Sequence, residues 1–332
     1  MFNGTNINPK KKKFNRPFSP RQIDEFVART VQSNIPQSTR RLFFTFSEES
    51  IAERGFYRAD MLSGMGSGIL LRYRSKYFLL TAYHVVAHTL QHQQNESPFV
   101  VQARNVRSPD SFDLTTLLYP RWHWDIRTLM PESHGDIAWN DVALIEMFDP
   151  LCEVPDSEVV DLEHVSFVQR QEFFQGQMLI GSGYPAMLND YLFGEADEFG
   201  PGLAQYTNIQ RHHSTGLVAR GSGPNDFYFK PTDPTANHDS LNGMSGGTLV
   251  NFYPKAKKAQ WAGMLKMVDS RRGAVQFIPA YAIVPILRRY AESKRSCLDP
   301  LALLSIEGIS AKKREELRLL MQKTYRILER QG

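Results

Sequence analysis

The sequence predicts a mostly β protein made of two similar β units. Between residues 41 and 280, short runs rich in Val, Ile, Leu, Phe and Tyr are separated by clusters of Gly, Pro, Asn, Asp and Ser. A gap of roughly 30 residues divides these runs into two sets. Segments with helical spacing lie near the two ends of the chain. Many short strands with few helices favour a β-sandwich or a β-barrel.

The N-terminal part, residues 1–40, predicts a basic disordered tail followed by a short helix. Residues 1 to about 18 are polar and rich in Asn, Pro and Lys, a composition that does not support a packed core. Ser19 can cap a helix that begins at Pro20, and Gln22 completes a capping box. The apolar residues at helical spacing are Ile23, Phe26, Val27 and Val31.

Residues 41–292 carry the predicted strands and end in a helix expected over residues 279–290. The runs of the first set are RLFFTF (41–46), SGILLRY (67–73), KYFLLTA (76–82), PFVVQAR (98–104) and DVALIEM (141–147). The runs of the second set are QMLIGSGY (177–184), DFYFK (226–230), GTLVNFY (247–253), WAGMLKMV (261–268) and AVQFIP (274–279). We expect each set to form one β unit.

Residues 293–332 predict a C-terminal helical extension. The apolar face of its final helix would be formed by Leu317, Leu320, Met321, Tyr325 and Leu328. We expect this helix, capped by Ser310, to pack on the body of the protein. A contact within a dimer is one alternative. A DNA-binding helix-hairpin-helix within residues 299–317 is another, although Ser310 stands where such a turn has its second glycine.

Composition narrows the classes of function. The 332 residues are 42% hydrophobic and 22% charged, as in ordinary globular proteins. The net charge of +4 makes nucleic acid an unexpected partner, although Lys10–Lys13 could attach weakly to nucleic acid or acidic membranes. There is no run of about 18 apolar residues, and we expect neither a membrane-spanning segment nor a signal peptide. With only two cysteines, Cys152 and Cys297, these features favour a cytoplasmic protein with no membrane contact.

Three segments carry the residue types of nucleophilic catalysis. They are TAYHVV (81–86), NDVALIE (140–146) and GMSGG (243–247). A serine hydroxyl attacks poorly at neutral pH until a neighbouring base removes its proton, and a carboxylate must orient that base. His, Asp and Ser in these three segments therefore predict a catalytic triad.

The three segments resemble those of the trypsin/chymotrypsin-like serine protease family, over roughly residues 41–290. TAYHVV is similar to that family's T-A-[AG]-H-[CV], NDVALIE to its D-[IV]-A-L strand, and GMSGG to its G-x-S-G-G. The resemblance implies two six-stranded antiparallel β-barrels with the active site in the cleft between them.

The resemblance also implies a role for each residue of the site. His84 would be the general base and acid, Asp141 the carboxylate that orients it, and Ser245 the nucleophile. The backbone N–H groups of Gly243 and Ser245 would form the oxyanion hole. Neither a metal nor a cofactor is implied.

Within the family, the chain is more similar to intracellular and bacterial members, such as the high-temperature-requirement proteases. Met244 replaces the acidic residue that pairs with a newly freed N-terminus in digestive enzymes, so we do not expect that activation mechanism. About 40 residues follow position 290, which is too few for the peptide-binding module of the high-temperature-requirement proteases.

Other residues offer alternatives to the triad. Asp136 is a rival carboxylate because DIAW (136–139) also resembles D-[IV]-A, but no unbroken apolar strand follows it directly. His84, His88 and His92 are spaced by four residues, as zinc ligands on one helical face can be. The metalloprotease motif needs a Glu directly after its first histidine, and Val85 stands there instead.

Asp239 is the candidate for substrate specificity. It lies six residues before Ser245, the offset at which trypsin-type enzymes carry the acid that binds Lys or Arg. A carboxylate there would pair with a cationic side chain. A surface aspartate is the alternative. The long acidic loop expected over residues 186–214 could favour the same basic substrates, and we expect its His212 and His213 to be exposed.

The expected function is that of a serine endopeptidase that cleaves peptide bonds through an acyl-enzyme. Regulated cleavage of one protein in a bacterial stress or defence pathway, under control of a partner, is the hypothesis for its role. One alternative is an inactive protease-like module that binds peptides or a partner. Another is a nucleic-acid-associated protein that uses its basic N-terminus. The sequence leaves the oligomeric state open.

Overall fold

The computed structural model describes residues 19–45, 56–58, 62–86, 99–105, 111–113, 116–124, 126, 137, 139–150, 152–189, 191–193, 205–207, 209–236, 238–251 and 259–292. The tail predicted before residue 19 and the helical extension predicted after residue 292 lie outside the described residues.

Helices are short and few within these ranges. The helices that we label are α1 (Pro20–Val31), α2 (Asn34–Gln37), α3 (His238–Leu241) and α4 (Ala280–Glu292). The predicted N-terminal helix is confirmed as α1, which begins at the predicted proline. The helix predicted over residues 279–290 is confirmed as α4.

The first β unit is built around a six-stranded sheet. The strands of this unit are β1 (Thr39–Thr45), β2 (Phe56–Arg58), β3 (Leu62–Tyr73), β4 (Lys76–Ala82), β5 (Val101–Gln102), β6 (Ser111–Asp113), β7 (Leu117–Leu118), β8 (Pro120–Trp124), β9 (Val142–Met147) and β10 (Val160–Asp161). Five strands follow the order β1-β3-β4-β9-β8, and β10 runs parallel beside β3. The pairs β2–β6 and β5–β7 form separate ladders.

The second β unit is a closed six-stranded antiparallel barrel. The remaining strands are β11 (Met178–Gly183), β12 (Tyr191–Phe193), β13 (Gln205–Thr207), β14 (His212–Arg220), β15 (Phe227–Pro231), β16 (Thr248–Asn251), β17 (Gln260–Asp269) and β18 (Ala274–Pro279). The barrel closes in the order β11-β14-β15-β18-β17-β16, while β12 and β13 pair apart from it. The mostly β fold with one such barrel is therefore confirmed.

One part of the predicted loop over residues 186–214 is wrong. The strand β14 begins at His212 and pairs with both β11 and β15, so His212 and His213 lie in the barrel wall and are only partly exposed. The inward residues of β14 include Ser214 and Gly216, which are buried although neither is apolar. A strand whose inner face is small and polar gives a weak hydrophobic alternation, so the sequence pattern does not reveal it.

The two units share one core. A single cluster of buried apolar residues includes Ile69 and Leu80 of the sheet together with Leu249 and Trp261 of the barrel. A buried hydrogen bond also joins the hydroxyls of Thr39 and Thr248, 2.9 Å apart, across the boundary between the two units, which we call the seam. The relative position of the units is therefore fixed by packing, which places the ends of β4 and β9 beside the turn before β16.

Candidate active site

His84 and Asp141 are brought together by two neighbouring strands. The strand β4 ends at Ala82, which pairs with Val142 at the start of β9. His84 lies in the helical turn after β4, and Asp141 closes the 3-10 turn Trp139–Asp141 before β9. Because antiparallel register aligns the end of one strand with the start of the other, the two side chains meet at one edge of the sheet.

The contact between these two residues is a double hydrogen bond. Asp141 Oδ1 accepts from the backbone N–H of His84 at 3.1 Å and lies 2.9 Å from His84 Nδ1. A carboxylate can only accept, so the proton of this second bond belongs to Nδ1. In the neutral imidazole the lone pair is then on Nε2, which is the arrangement a general base requires. The His84 side chain is 43% exposed, so the imidazole is accessible from solvent.

Ser245 lies in a tight turn between α3 and β16. The turn is closed by hydrogen bonds from Met244 N to Leu241 O (3.1 Å) and from Gly247 N to Met244 O (2.9 Å). Gly246 N also donates to Leu265 O of β17 at 2.7 Å. Ser245 is 8% exposed, and no described residue forms a hydrogen bond with its hydroxyl.

Two glycines of this turn are required by close backbone contacts. Gly246 has φ +85°, and a Cβ there would lie 1.8 Å from the carbonyl oxygen of Ser67. Gly243 has φ +90°, and a Cβ there would lie 2.6 Å from the carbonyl oxygen of Tyr184. Side chains at these positions would therefore meet both an unfavourable backbone conformation and immovable backbone atoms.

Ser67 of β3 is a site residue that sequence reasoning missed. It is fully buried, and its N–H donates to Ser245 O at 3.0 Å. Its hydroxyl donates to Gly243 O at 2.8 Å and accepts from Tyr184 N at 2.9 Å. Ser67 thus fastens the first unit to the turn that carries Ser245. The available sequence signal was its position between Gly66 and Gly68, where backbones can approach closely.

The same segment of β3 contacts both turns of the site. A Cβ at Gly66 would lie 2.4 Å from Val85 Cγ1, so the turn that carries His84 packs on one side of this segment. The turn that carries Ser245 is hydrogen-bonded to the next residue, Ser67. Among the described residues, no hydrogen bond joins His84 to Ser245. The structure therefore joins His84 to Asp141 and places Ser245 at the adjoining turn.

The peptide between Asn242 and Gly243 has a fixed orientation. Asn242 O accepts a hydrogen bond from Ala186 N at 2.7 Å. In a trans peptide the C=O and N–H groups point in opposite directions, so the Gly243 N–H points away from Ala186. Within the described part of the chain, neither this N–H nor that of Ser245 has an acceptor. Two backbone donors of one turn thus have no acceptor among the described residues.

His213 is the histidine most affected by its surroundings. Burial, together with the smaller effects of the positive charges of Arg211 and His212, lowers its pKa to about 4. Its Nδ1 lies 2.8 Å from Ser182 Oγ of β11. The side chain is therefore a neutral hydrogen-bonding group of the barrel wall near neutral pH.

Several predicted alternatives lie outside the described residues, namely Asp136, His88, His92 and the side chain of Asp239. Where the structure does describe the chain, no cluster of three or more His, Cys, Asp or Glu side chains could hold a metal ion. Over the same residues, no helix is long and apolar enough to cross a membrane. In a comparison with models of known protein families, none matches this chain.

Proposed function

We propose that this chain is a serine endopeptidase of the trypsin-like fold, with His84, Asp141 and Ser245 as its triad. The observation that carries the proposal is the double hydrogen bond between Asp141 and His84, 3.1 and 2.9 Å long. This bond selects the imidazole tautomer that accepts a proton on Nε2. A solvated surface pair of His and Asp would not require a second bond to the histidine backbone.

A two-barrel architecture fits the pairing in the first unit. Phe43 of β1 exchanges hydrogen bonds with Val100, just before β5, at 2.9 and 2.7 Å. The strand β5 pairs with β7, and a single residue, Tyr119, separates β7 from β8. Strands can therefore be followed from β1 through β5, β7 and β8 to β9, β4 and β3, and then back to β1. We infer that this circuit is the first barrel.

The proposed reaction starts at the Ser245 hydroxyl. Its proton passes to His84 Nε2 as the Oγ–C bond to the substrate carbonyl forms. The resulting oxyanion would be bound by the N–H groups of Gly243 and Ser245, and the lack of an acceptor for either among the described residues supports this role. The C–N bond then breaks as Nε2 returns the proton to the leaving amine. Water then attacks the acyl-enzyme while His84 Nε2 takes one of its protons. Nε2 returns this proton to Ser245 Oγ as the Oγ–C bond breaks.

The environment of Met244 bears on the control of this activity. Its side chain is fully buried in the shared core, and a Cβ at Gly183 would lie 2.9 Å from its Cα. An apolar residue packed this closely offers no charge to a newly freed N-terminus. We therefore propose that activity in the cytoplasm is restrained by a partner or by narrow specificity for one protein substrate.

Labelling with a fluorophosphonate tests the assignment, because this reagent forms a covalent bond only with an activated serine. We expect the purified chain to be labelled and the Ser245→Ala variant not to be. Ser222→Ala, which removes an exposed serine elsewhere in the second unit, is the matched control and should be labelled like the parent. Equal labelling of Ser245→Ala and the parent would refute the assignment of Ser245.

A protease-like module that binds peptides without cleaving them is the second candidate. The missing hydrogen bond between His84 and Ser245 among the described residues favours it. Such bonds are often long in free enzymes and tighten with substrate, so this one feature does not decide between the two candidates. Digestion of a peptide library separates them, since a folded chain that binds but never cleaves would be the module.

A further inference from the structure

Lys266 of β17 is a buried cation that the proposed mechanism does not use. It is 5% exposed, whereas lysine is almost never buried unless it is paired. The register between β17 and β18 shifts between Leu265 and Met267, so Lys266 is the extra residue of a β-bulge. Bulges redirect a side chain away from the regular alternation of the strand, and they are frequent beside active sites.

The side chain of Lys266 extends across the seam to the pair formed by His84 and Asp141, which we call the dyad. Its Nζ lies 4.0 Å from Asp141 Oδ2 and 3.3 Å from Gln276 Oε1. Gln276 is held in turn by Asp226, whose Oδ1 accepts from Gln276 Nε2 at 3.1 Å. Asp141 therefore lies between two groups, with His84 on Oδ1 and the ammonium of Lys266 facing Oδ2.

We propose that Lys266 is a positioning residue that anchors Asp141 from the second unit and whose charge opposes protonation of the His84 imidazole. Among the described residues, the charged groups that these contacts join to the dyad are Lys266 on β17 and, through Gln276 of β18, Asp226 before β15. A cation close to an imidazole disfavours the imidazolium form. A contact of 4.0 Å is too long for a strong hydrogen bond, so Lys266 acts mainly through its charge.

The direct test is the pH titration of His84 followed by NMR of the 15N-labelled imidazole, with the signal assigned by its loss in His84→Ala. Removing the Lys266 charge in Lys266→Gln should move the pH of half-protonation upward. Lys266→Met gives a second neutral variant, since an apolar residue of similar volume often replaces a buried charge without loss of stability. Lys266→Arg keeps the charge, so its pH of half-protonation should stay near that of the parent.

Lys230→Gln is the matched control, because Lys230 is an exposed lysine on β15 and should leave the midpoint unchanged. An unchanged midpoint in both neutral variants of Lys266 would overturn the proposal, even if either were less stable. A purely structural lysine would lower stability without moving the titration.

The catalytic consequence rests on the proposed function and is measured separately. The acidic limb of the pH profile of fluorophosphonate labelling should lie at higher pH in Lys266→Gln than in the parent. If the parent is not labelled at all, the proposed function fails, while the NMR titration still tests the electrostatic role of Lys266. If labelling occurs but neither midpoint moves, the function stands and the inference about Lys266 fails.

Discussion

The two β units hold their parts of the candidate site in different ways. In the sheet, neighbouring strands place His84 beside Asp141, and the pair is joined by hydrogen bonds within one unit. In the barrel, Ser245 is placed by a turn whose Gly246 admits the backbone of the other unit at Ser67. The proposed base thus depends on strand register, whereas the proposed nucleophile depends on packing across the seam. Substitutions at the site in the first unit should therefore lower the rate of the proposed reaction. Substitutions in the turn of the second unit should lower the free energy of unfolding.

The largest effect is expected from Asp141→Asn, which changes chemistry within the first unit. The neutral amide would no longer stabilise the positive charge that His84 gains when Nε2 takes the serine proton. We expect the rate of fluorophosphonate labelling to fall by about 10³–10⁴-fold, with little change in the free energy of unfolding. Asp156→Asn is the control, since that side chain is 82% exposed and pairs with Arg72 at the surface. Labelling at the parental rate in Asp141→Asn would show that the pair is not part of the chemistry.

Gly246→Ala should instead break the seam. The new Cβ would meet the carbonyl oxygen of Ser67, and the positive φ adds its own cost, so we expect a loss of about 4 kcal/mol in the free energy of unfolding. Gly176→Ala separates the two causes, because Gly176 has φ +81° with no atom within 4 Å of the added Cβ. Its loss should be about 1–2 kcal/mol. Urea unfolding measures the free energy of unfolding of both variants. Equal losses would mean that the contact with the Ser67 carbonyl oxygen adds nothing to the cost of the positive φ.

A smaller effect, confined to the barrel, is expected from His213. Its pKa in the folded chain is about 4, below the unfolded value near 6.5, because burial disfavours the charged form. The neutral side chain is therefore fully compatible with folding above pH 6.5, and stability falls as the pH drops from 6.5 to 4. The loss should approach about 3 kcal/mol at pH 4.

Urea unfolding at pH 7 and pH 4.5 checks this dependence, with His213→Asn as the comparison. The variant should be less stable at pH 7 but should lose less stability on acidification. Parallel pH dependences in both proteins would place the acid-sensitive group elsewhere, whereas a flatter slope in the variant would assign it to the barrel wall.

Much of the strand pattern could be predicted because most strands bury continuous apolar runs. All ten predicted runs contain strands, and KYFLLTA has the bounds of β4. The sequence did not predict β14, because its inward residues include Ser214 and Gly216, which carry no hydrophobic signal. The proximity of His84 to Asp141 could be expected from their motifs, because each stands directly beside an apolar strand. The hydrogen bonds between them required the register of β4 and β9.

By itself, the sequence determined which segments are strands and which residue types could carry nucleophilic chemistry, since both are properties of short stretches of chain. The parts played by Ser67 and Lys266 were decided only by the tertiary structure. Ser67 acts through contacts with Tyr184, Gly243 and Ser245, and Lys266 approaches Asp141 from 125 positions further along the chain. Contacts across the seam depend on how the two units pack. Local patterns of hydrophobicity do not predict that packing.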